Sequence, residues 1–313
     1  MKLPFHTLDV FTSETFGGNP LGVFPNATHL PTDLMQRIAM EMNLSETVFL
    51  GPPEADGTAR VRIFTPGVEV PFAGHPTVGT AIFLAAQGAG TASDSGEDDT
   101  LRLVLEENVG PVPVDVRMEG GNPTFARFTT ALLPEHRASP HAAPELARLV
   151  GLDTDDIGGG SEGMPLVPEM VSCGLPYYCI PVRTIEAVRR SVLDMALFNQ
   201  MLAGTWAHHV YLICLDGEGP DVDVHVRMFA PGSGVPEDPA TGSAAAALGG
   251  YLAAADGRAD GALKWTVEQG IEMGRPSLLY VEADRAGGET SAVRVGGSAV
   301  RVSEGTMTIP DLP

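Results

Sequence analysis

Val226-Arg227-Met228-Phe229-Ala230-Pro231-Gly232 leads into Pro236-Glu237-Asp238-Pro239-Ala240-Thr241-Gly242-Ser243-Ala244. This core of the stretch Val222–Leu252 decides the reading of the chain, because an earlier stretch repeats it. The earlier version is Val61-Arg62-Ile63-Phe64-Thr65-Pro66-Gly67, then Pro71-Phe72-Ala73-Gly74-His75-Pro76-Thr77-Val78-Gly79-Thr80-Ala81. The copies align with a slip of two residues between Pro-Gly and the position held by His75 or Asp238. A repeat period near half the chain implies two similar halves and not a solenoid. Each copy predicts strand, turn and helix. Val222–Phe229 alternates apolar and polar residues, as a half-buried strand does, and 59–64 does so more briefly. Pro-Gly then breaks the chain. The runs Val78–Ala86 and Ala244–Ala255 carry no charge. A helix apolar all round has no solvent face and must be buried. Two buried helices, started at His75-Pro76 and Asp238-Pro239 and wrapped by strands, form the expected skeleton.

At 313 residues the chain is long enough for two cores. A net charge of −21 repels phosphate backbones and anionic lipid, which argues against nucleic-acid and membrane partners. No run of 18 apolar residues is present to span a bilayer. Met1–His6 holds no apolar signal segment, and three cysteines (Cys173, Cys179, Cys214) make no paired framework. Both features predict a reducing, cytoplasmic setting.

Taken in order, residues 3–24 read as strand, loop and strand, with the turn at Asn19-Pro20. Pro31-Thr32-Asp33 opens a helix with Leu34, Met35, Ile38, Ala39 and Met42 on one face. It ends at Asn43-Leu44-Ser45-Glu46, which places Glu46 at a corner before a strand at Thr47–Leu50. Gly88–Asp99 reads as an exposed loop, and 101–105, 112–118 and 125–132 as strands. Pro134–Pro144 is the expected linker, dividing a first half, 1–133, from a second, 134–313. Thr154–Gly163 reads as an acidic loop. Strands at 177–182 and 209–215 flank a helix near 186–203. Strands follow near 278–283, 292–295, 299–302 and 307–309; the last of these, near 299–309, can complete either half.

The chemistry centres on three residues. Asp before Pro at a helix start is a plain N-cap, so Asp238 alone has a structural explanation. His75 in the equivalent place is a poor N-cap, and a helix N-terminus disfavours the imidazolium. A neutral imidazole and a carboxylate at matched helix starts read as a facing pair. Unpartnered N–H groups at the two starts can hold a small carboxylate, with Gly74, Gly79 and Gly242 allowing close approach and Ser243 adding a hydroxyl. Alternatively these glycines serve only tight helix–strand packing. Glu46 lies among apolar Leu44, Val48 and Phe49, and burial would raise its pKa toward proton transfer. Gly242-Ser243 lacks the Lys of a P-loop, and Gly158-Gly159-Gly160 follows no strand. His208-His209 has no second ligand pair, and Cys173 and Cys179 are too far apart for a zinc motif.

The chain resembles the PhzF-like (phenazine biosynthesis) proteins over nearly its whole length. The matching stretches are Asp9-Val10-Phe11, Gly18-Asn19-Pro20, Asn43-Leu44-Ser45-Glu46-Thr47 and Phe64-Thr65-Pro66. Ala73–Thr80, Glu237–Ala244, Gln269-Gly270 and Gly296-Gly297 complete them. The resemblance implies an α+β, diaminopimelate-epimerase-like fold: two pseudo-symmetric halves, each a barrel-like β-sheet around a central helix, with the site between them. It implies isomerisation of trans-2,3-dihydro-3-hydroxyanthranilate without metal or organic cofactor. Glu46 would be the general acid/base; His75 and Asp238 would orient substrate or share in proton movement. Asn19, Ser45, Gly74, Gly242 and Ser243 would line the pocket for a small anionic substrate. Relatives are often homodimers. The thiol epimerases of this fold carry a Cys at each helix start, where this chain has His75 and Asp238. Two alternatives stand beside the isomerase: a non-thiol amino-acid epimerase or racemase, and a non-catalytic ligand-binding protein of the same fold.

Overall fold

The computed structural model describes residues 1–93, 99–161 and 163–310. The chain forms two compact units, Met1–Thr129 with Gly296–Pro313, and Thr130–Val295. The fold is of mixed α+β class and dominated by strands.

In the first unit Lys2–Val10 pairs antiparallel with Asn19–Phe24 and with the closing strand Ala299–Thr308. Asn19–Phe24 runs parallel to Glu46–Gly51, and helix α1 (Thr32–Met42) makes the crossover. α1 forms because Leu34, Met35, Ile38 and Ala39 recur at helical spacing and bury together against Phe24, Phe49 and Phe64. It stops at Asn43, whose left-handed φ of 50° turns the chain toward Ser45 and Glu46. Glu46–Gly51 pairs antiparallel with Ala59–Phe64, which runs parallel to Thr100–Glu107. The crossover here is α2 (Gly74–Ala86). A meander through Gly110–Glu119 and Asn122–Thr129 follows. Strands from both ends of the unit pack on α2. Every residue from Gly74 to Phe83 is buried.

The second unit repeats this scheme. Pro176–Pro181 runs parallel to His209–Cys214, and the crossover carries helices. Before it comes α3 (Ala143–Leu149); within it lie α4 (Ile185–Arg190) and α5 (Met195–Met201). His209–Cys214 pairs antiparallel with Val224–Ala230, which runs parallel to Gly261–Gln269. The second crossover is α6 (Gly242–Ala255), buried from Gly242 to Ala253 and surrounded by strands of its own unit. α3, α4 and α5 cover the opposite face, against Tyr178, Ile180, Val210, Leu212 and Phe229.

Several expectations need correction. α6 starts at Gly242, and Asp238 is the last residue of the strand Val235–Asp238. The repeat therefore breaks where the chemistry was expected: His75 is helical and Asp238 is not. Hydrogen bonds explain the break, since Asp238 takes the Thr241 hydroxyl and Gln269 holds both residues in a tight turn. The segment 134–144 contains a strand, Glu135–Ala138, paired with Glu169–Ser172. The helix expected near 186–203 is two helices, because the Thr184 and Asp194 side chains each cap a separate start. The strand Gly261–Gln269 was not anticipated, and the closing strands merge into 277–286, 289–297 and 299–308. The expected loop 88–99 includes a short strand, Thr91–Ala92, while 94–98 lie outside the described residues. In the loop 154–163, Gly159–Ser161 pairs with Met164–Leu166, and Glu162 lies outside the described residues.

Gly79 shows why these helices need glycine. A Cβ there would lie 2.6 Å from a Leu21 methyl and 2.7 Å from a Val10 methyl. Its role is close packing of α2 on two strands. Gly79→Val should destabilise the protein by about 1–3 kcal/mol through overpacking, read as a lower urea midpoint. An unchanged midpoint would contradict this packing.

Candidate active site

The expected site residues fall into two sets, one within each unit. In the first, Asn19 opens the strand Asn19–Phe24 and is wholly buried opposite Val10. Glu46 opens the neighbouring strand opposite Leu21, just after half-buried Ser45. Gly74 and His75 form the first turn of α2, whose N-cap, Ala73, offers no side-chain acceptor. These positions converge: His75 Nδ1 lies 3.3 Å from Glu46 Oε2. The His75 side chain is 3% exposed, whereas Glu46 keeps 19% of its surface open. The carboxylate can thus reach a ligand while the imidazole is held behind it.

Burial pushes the His75 pKa down to about 3, against a smaller upward effect of a hydrogen bond to the Pro20 backbone. The ring is therefore neutral at pH 7. Nδ1 faces the Glu46 carboxylate at 3.3 Å, a close approach and not a hydrogen bond to Oε2. Nε2 is buried and without a hydrogen-bond partner among the described residues.

The second set is built on a turn. Asp238 is buried at 6% exposure, and its Oδ2 accepts the Thr241 hydroxyl at 2.5 Å. Gln269 Nε2 donates to the Asp238 carbonyl at 2.7 Å and to Thr241 Oγ1 at 3.0 Å. Its Oε1 accepts the Thr241 amide at 3.3 Å. Ser277 Oγ donates to the Pro239 carbonyl at 3.0 Å. Gly270, at φ 78°, lets the next turn press on Pro239, where a Cβ would come within 2.6 Å of the carbonyl oxygen. Gly242 and Ser243 begin α6, again without a side-chain cap, and Ser243 Oγ shares a 2.6 Å hydrogen bond with the Tyr177 hydroxyl. The free N–H groups and dipole of such a helix start favour an anion.

Sequence reasoning missed Thr241, Gln269 and Tyr177 as site builders. Thr241 and Gln269 stood inside matched motifs, but their role depends on a strand, Gly261–Gln269, that was not anticipated. Nothing in the sequence marked Tyr177. All three cysteines are in the second unit and buried. Burial pushes Cys173 up to about 12, Cys214 up to about 11, and Cys179 higher still. None supplies a thiolate base near neutral pH.

A family model described as phenazine biosynthesis-like protein (PhzC-PhzF) matches residues 8–305. An uncharacterized isomerase of Mesorhizobium japonicum is 42% identical over 308 residues, covering 96% of this chain and 97% of the other. The trans-2,3-dihydro-3-hydroxyanthranilate isomerase of Pseudomonas aeruginosa is 36% identical over 299 residues, covering 95% and 96%. The crystal structure of a Bacillus anthracis PhzF-family protein superposes with a TM-score of 0.86 at 27% identity, covering 99% and 100%. A probable proline racemase of Agrobacterium radiobacter, at 13% identity and a TM-score of 0.64 over 98% and 93% of the chains, shares the fold.

One buried acid stands beside the first set. Glu107 Oε1 is 2.7 Å from Thr77 Oγ1, which is also 2.8 Å from the Ala73 carbonyl. Thr77 has one hydroxyl proton for two oxygens, so both contacts are satisfied when Glu107 brings its own proton. Burial agrees, pushing Glu107 up to about 8 against smaller downward effects of Thr77 and Arg60. Its folded pKa is raised above the ordinary 4.5. The stability it contributes is therefore full below 4.5 and lost as pH rises toward 8. Glu107→Gln stays neutral at every pH. Its stability relative to wild type should improve by on the order of 1–3 kcal/mol between pH 5 and pH 8, measured by urea unfolding. A constant difference would mean that Glu107 is ionised throughout.

Proposed function

The chain belongs to the phenazine biosynthesis-like (PhzF) family, whose relatives include named isomerases, and from that premise we propose that it is a cofactor-independent proton-moving isomerase. Its substrate in this reading is a small, unsaturated, cyclic amino or hydroxy acid of the trans-2,3-dihydro-3-hydroxyanthranilate type. The observation that carries the proposal is the Glu46 carboxylate held 3.3 Å from a buried, neutral His75.

Glu46 takes a proton from one carbon of the unsaturated ring and returns it to another on the same face. The enol formed tautomerises to a ketone. Such a step needs a positioned base, exclusion of water and a held substrate, which proton transfer alone can use. His75, behind the Glu46 carboxylate, orients the substrate or shares in proton movement. Asp238, fixed by Thr241 and Gln269, orients the substrate or shares in proton movement. The lining residues in this reading are Asn19, Ser45 and Gly74 of the first unit and Gly242 and Ser243 of the second, and each unit has an uncapped helix start of the kind that favours a carboxylate. The same reading takes a small anion as ligand, a homodimer as the assembly and the cytoplasm as the setting. On a net charge of −21 it includes no nucleic-acid or lipid partner. No helix among the described residues is long and apolar enough to cross a membrane.

Wild type and Glu46→Gln should be incubated with trans-2,3-dihydro-3-hydroxyanthranilate in deuterated buffer. Wild type should change the ultraviolet absorbance, and deuterium should enter the ring carbon that is protonated when the enol becomes the ketone. The variant should lose about 10²–10⁴-fold in rate. Full activity in Glu46→Gln would remove Glu46 from the mechanism. Exchange of one α-hydrogen with altered optical rotation and unchanged absorbance would favour the epimerase instead.

A further inference from the structure

Behind the Asp238 turn lies a buried cluster that the proposed chemistry does not use. His225, on the strand Val224–Ala230, is 0% exposed. Its Nδ1 is 2.7 Å from Glu268 Oε1, and its Nε2 is 2.8 Å from Glu272 Oε1. A neutral imidazole has one N–H and one lone pair, so one nitrogen would face an oxygen with nothing to donate. With both carboxylates ionised, only the imidazolium satisfies both contacts. Donor atoms of Glu218, His225 and Glu268 lie within 4.8 Å of one another, as metal ligands can. Two ligands of one zinc ion stand about 3 Å or more apart, given bonds of about 2.1 Å. The 2.7 Å contact is a hydrogen bond, and the proton fills this place.

The two carboxylates flank the residues that hold Asp238. Glu268 directly precedes Gln269, which clamps the Asp238 carbonyl and Thr241. Glu272 follows the Gly270 turn that presses on Pro239. On the other side, Glu237 is gripped by Nε and Nη2 of Arg227, at 2.8 and 2.9 Å, from the strand that also carries His225. We propose that His225 is a positioning residue for Asp238: as a cation it ties Glu268 and Glu272 together, and loss of its proton loosens the Gln269-Gly270 clamp. The second half of the site is thereby made sensitive to pH. The catalytic consequence rests on the role proposed above for Asp238; the structural consequence does not.

The surroundings support the cation. Glu268 and Glu272 face it from the end of the strand Gly261–Gln269 and the turn beyond. Glu218 donates its backbone N–H to Glu268 Oε1 at 2.8 Å, and its carboxylate pairs with Arg189 of α4. Arg227 is engaged by Glu237 and by Ser191. Cys214, opposite His225 in the next strand, is a neutral thiol near Asp216. Burial lowers the His225 pKa, but hydrogen bonds and the charges of Glu272 and Glu268 outweigh it, and the net shift is upward. The folded value exceeds 6.5, so the tie is complete below 6.5 and lost as pH rises through the folded value.

The test is nuclear magnetic resonance of the full chain from pH 5 to 9, with ¹⁵N in the histidine rings and backbone amides. His225 should titrate with a midpoint above 6.5. The amides of Thr241, Gln269 and Gly270 should shift with the same midpoint. In Glu272→Gln both midpoints should fall together by about 1 unit. The proposal is overturned if His225 is neutral throughout, or if these amides stay still while it titrates. It is also overturned if Glu272→Gln moves the ring midpoint without moving the amides. Where wild type turns over the dihydro substrate, kcat should fall with that midpoint. Absence of turnover counts against the proposed substrate, while the shared midpoint still decides the role of His225.

Discussion

The structure depends on hiding two helices that have no polar face. α2 is buried from Gly74 to Phe83, and α6 from Gly242 to Ala253. A helix of this kind cannot rest on one side of a sheet, because its far side would stay in water. Strands must surround it, and each unit does this through two parallel crossovers. Asn19–Phe24 and Glu46–Gly51 form one pair, and Ala59–Phe64 and Thr100–Glu107 another. The second unit repeats this with Pro176–Pro181 and His209–Cys214, then Val224–Ala230 and Gly261–Gln269. Glycines set how close the strands come, as Gly79 does against Val10 and Leu21, and Gly249 against Val281 and Val293.

The same burial sets the electrostatics. Desolvation disfavours charge, so it pushes bases down and acids up. It leaves His75 neutral at the start of α2 and keeps Glu107 protonated beside Thr77. Three thiols are silenced in the second unit. His225 goes the other way because two carboxylates touch it. Glu46 differs from all of these in being partly open to solvent while touching a dry imidazole. Such a carboxylate can meet a ligand on one side and be oriented from the other.

Much of this was legible in the sequence. Charge-free runs after a repeated strand and Pro-Gly turn locate the two central helices, and the amphipathic spacing of Leu34 to Ala39 locates α1. Glu46 and His75 could be singled out, one for its apolar neighbours and one as a poor helix cap. The error at Asp238 came from the same repeat that was otherwise informative. Asp-Pro is a strong N-cap signal, but Thr241 and Gln269 compete for the same groups and hold the chain extended for another turn. That competition rests on a residue 31 positions away, which local sequence cannot show. The strand at 135–138 was hidden for a similar reason: its partner, Glu169–Ser172, is distant, and its own residues are mostly polar. The causes of the His75 shift were also reordered. The helix N-terminus was expected to act, whereas burial is the main cause.

The central claim is that a buried, neutral His75 stands beside Glu46. The direct measurement is the ¹⁵N signature of the His75 ring across pH 4 to 8. A neutral ring is predicted throughout that range. A ring that titrates near its ordinary value of 6.5 would contradict it.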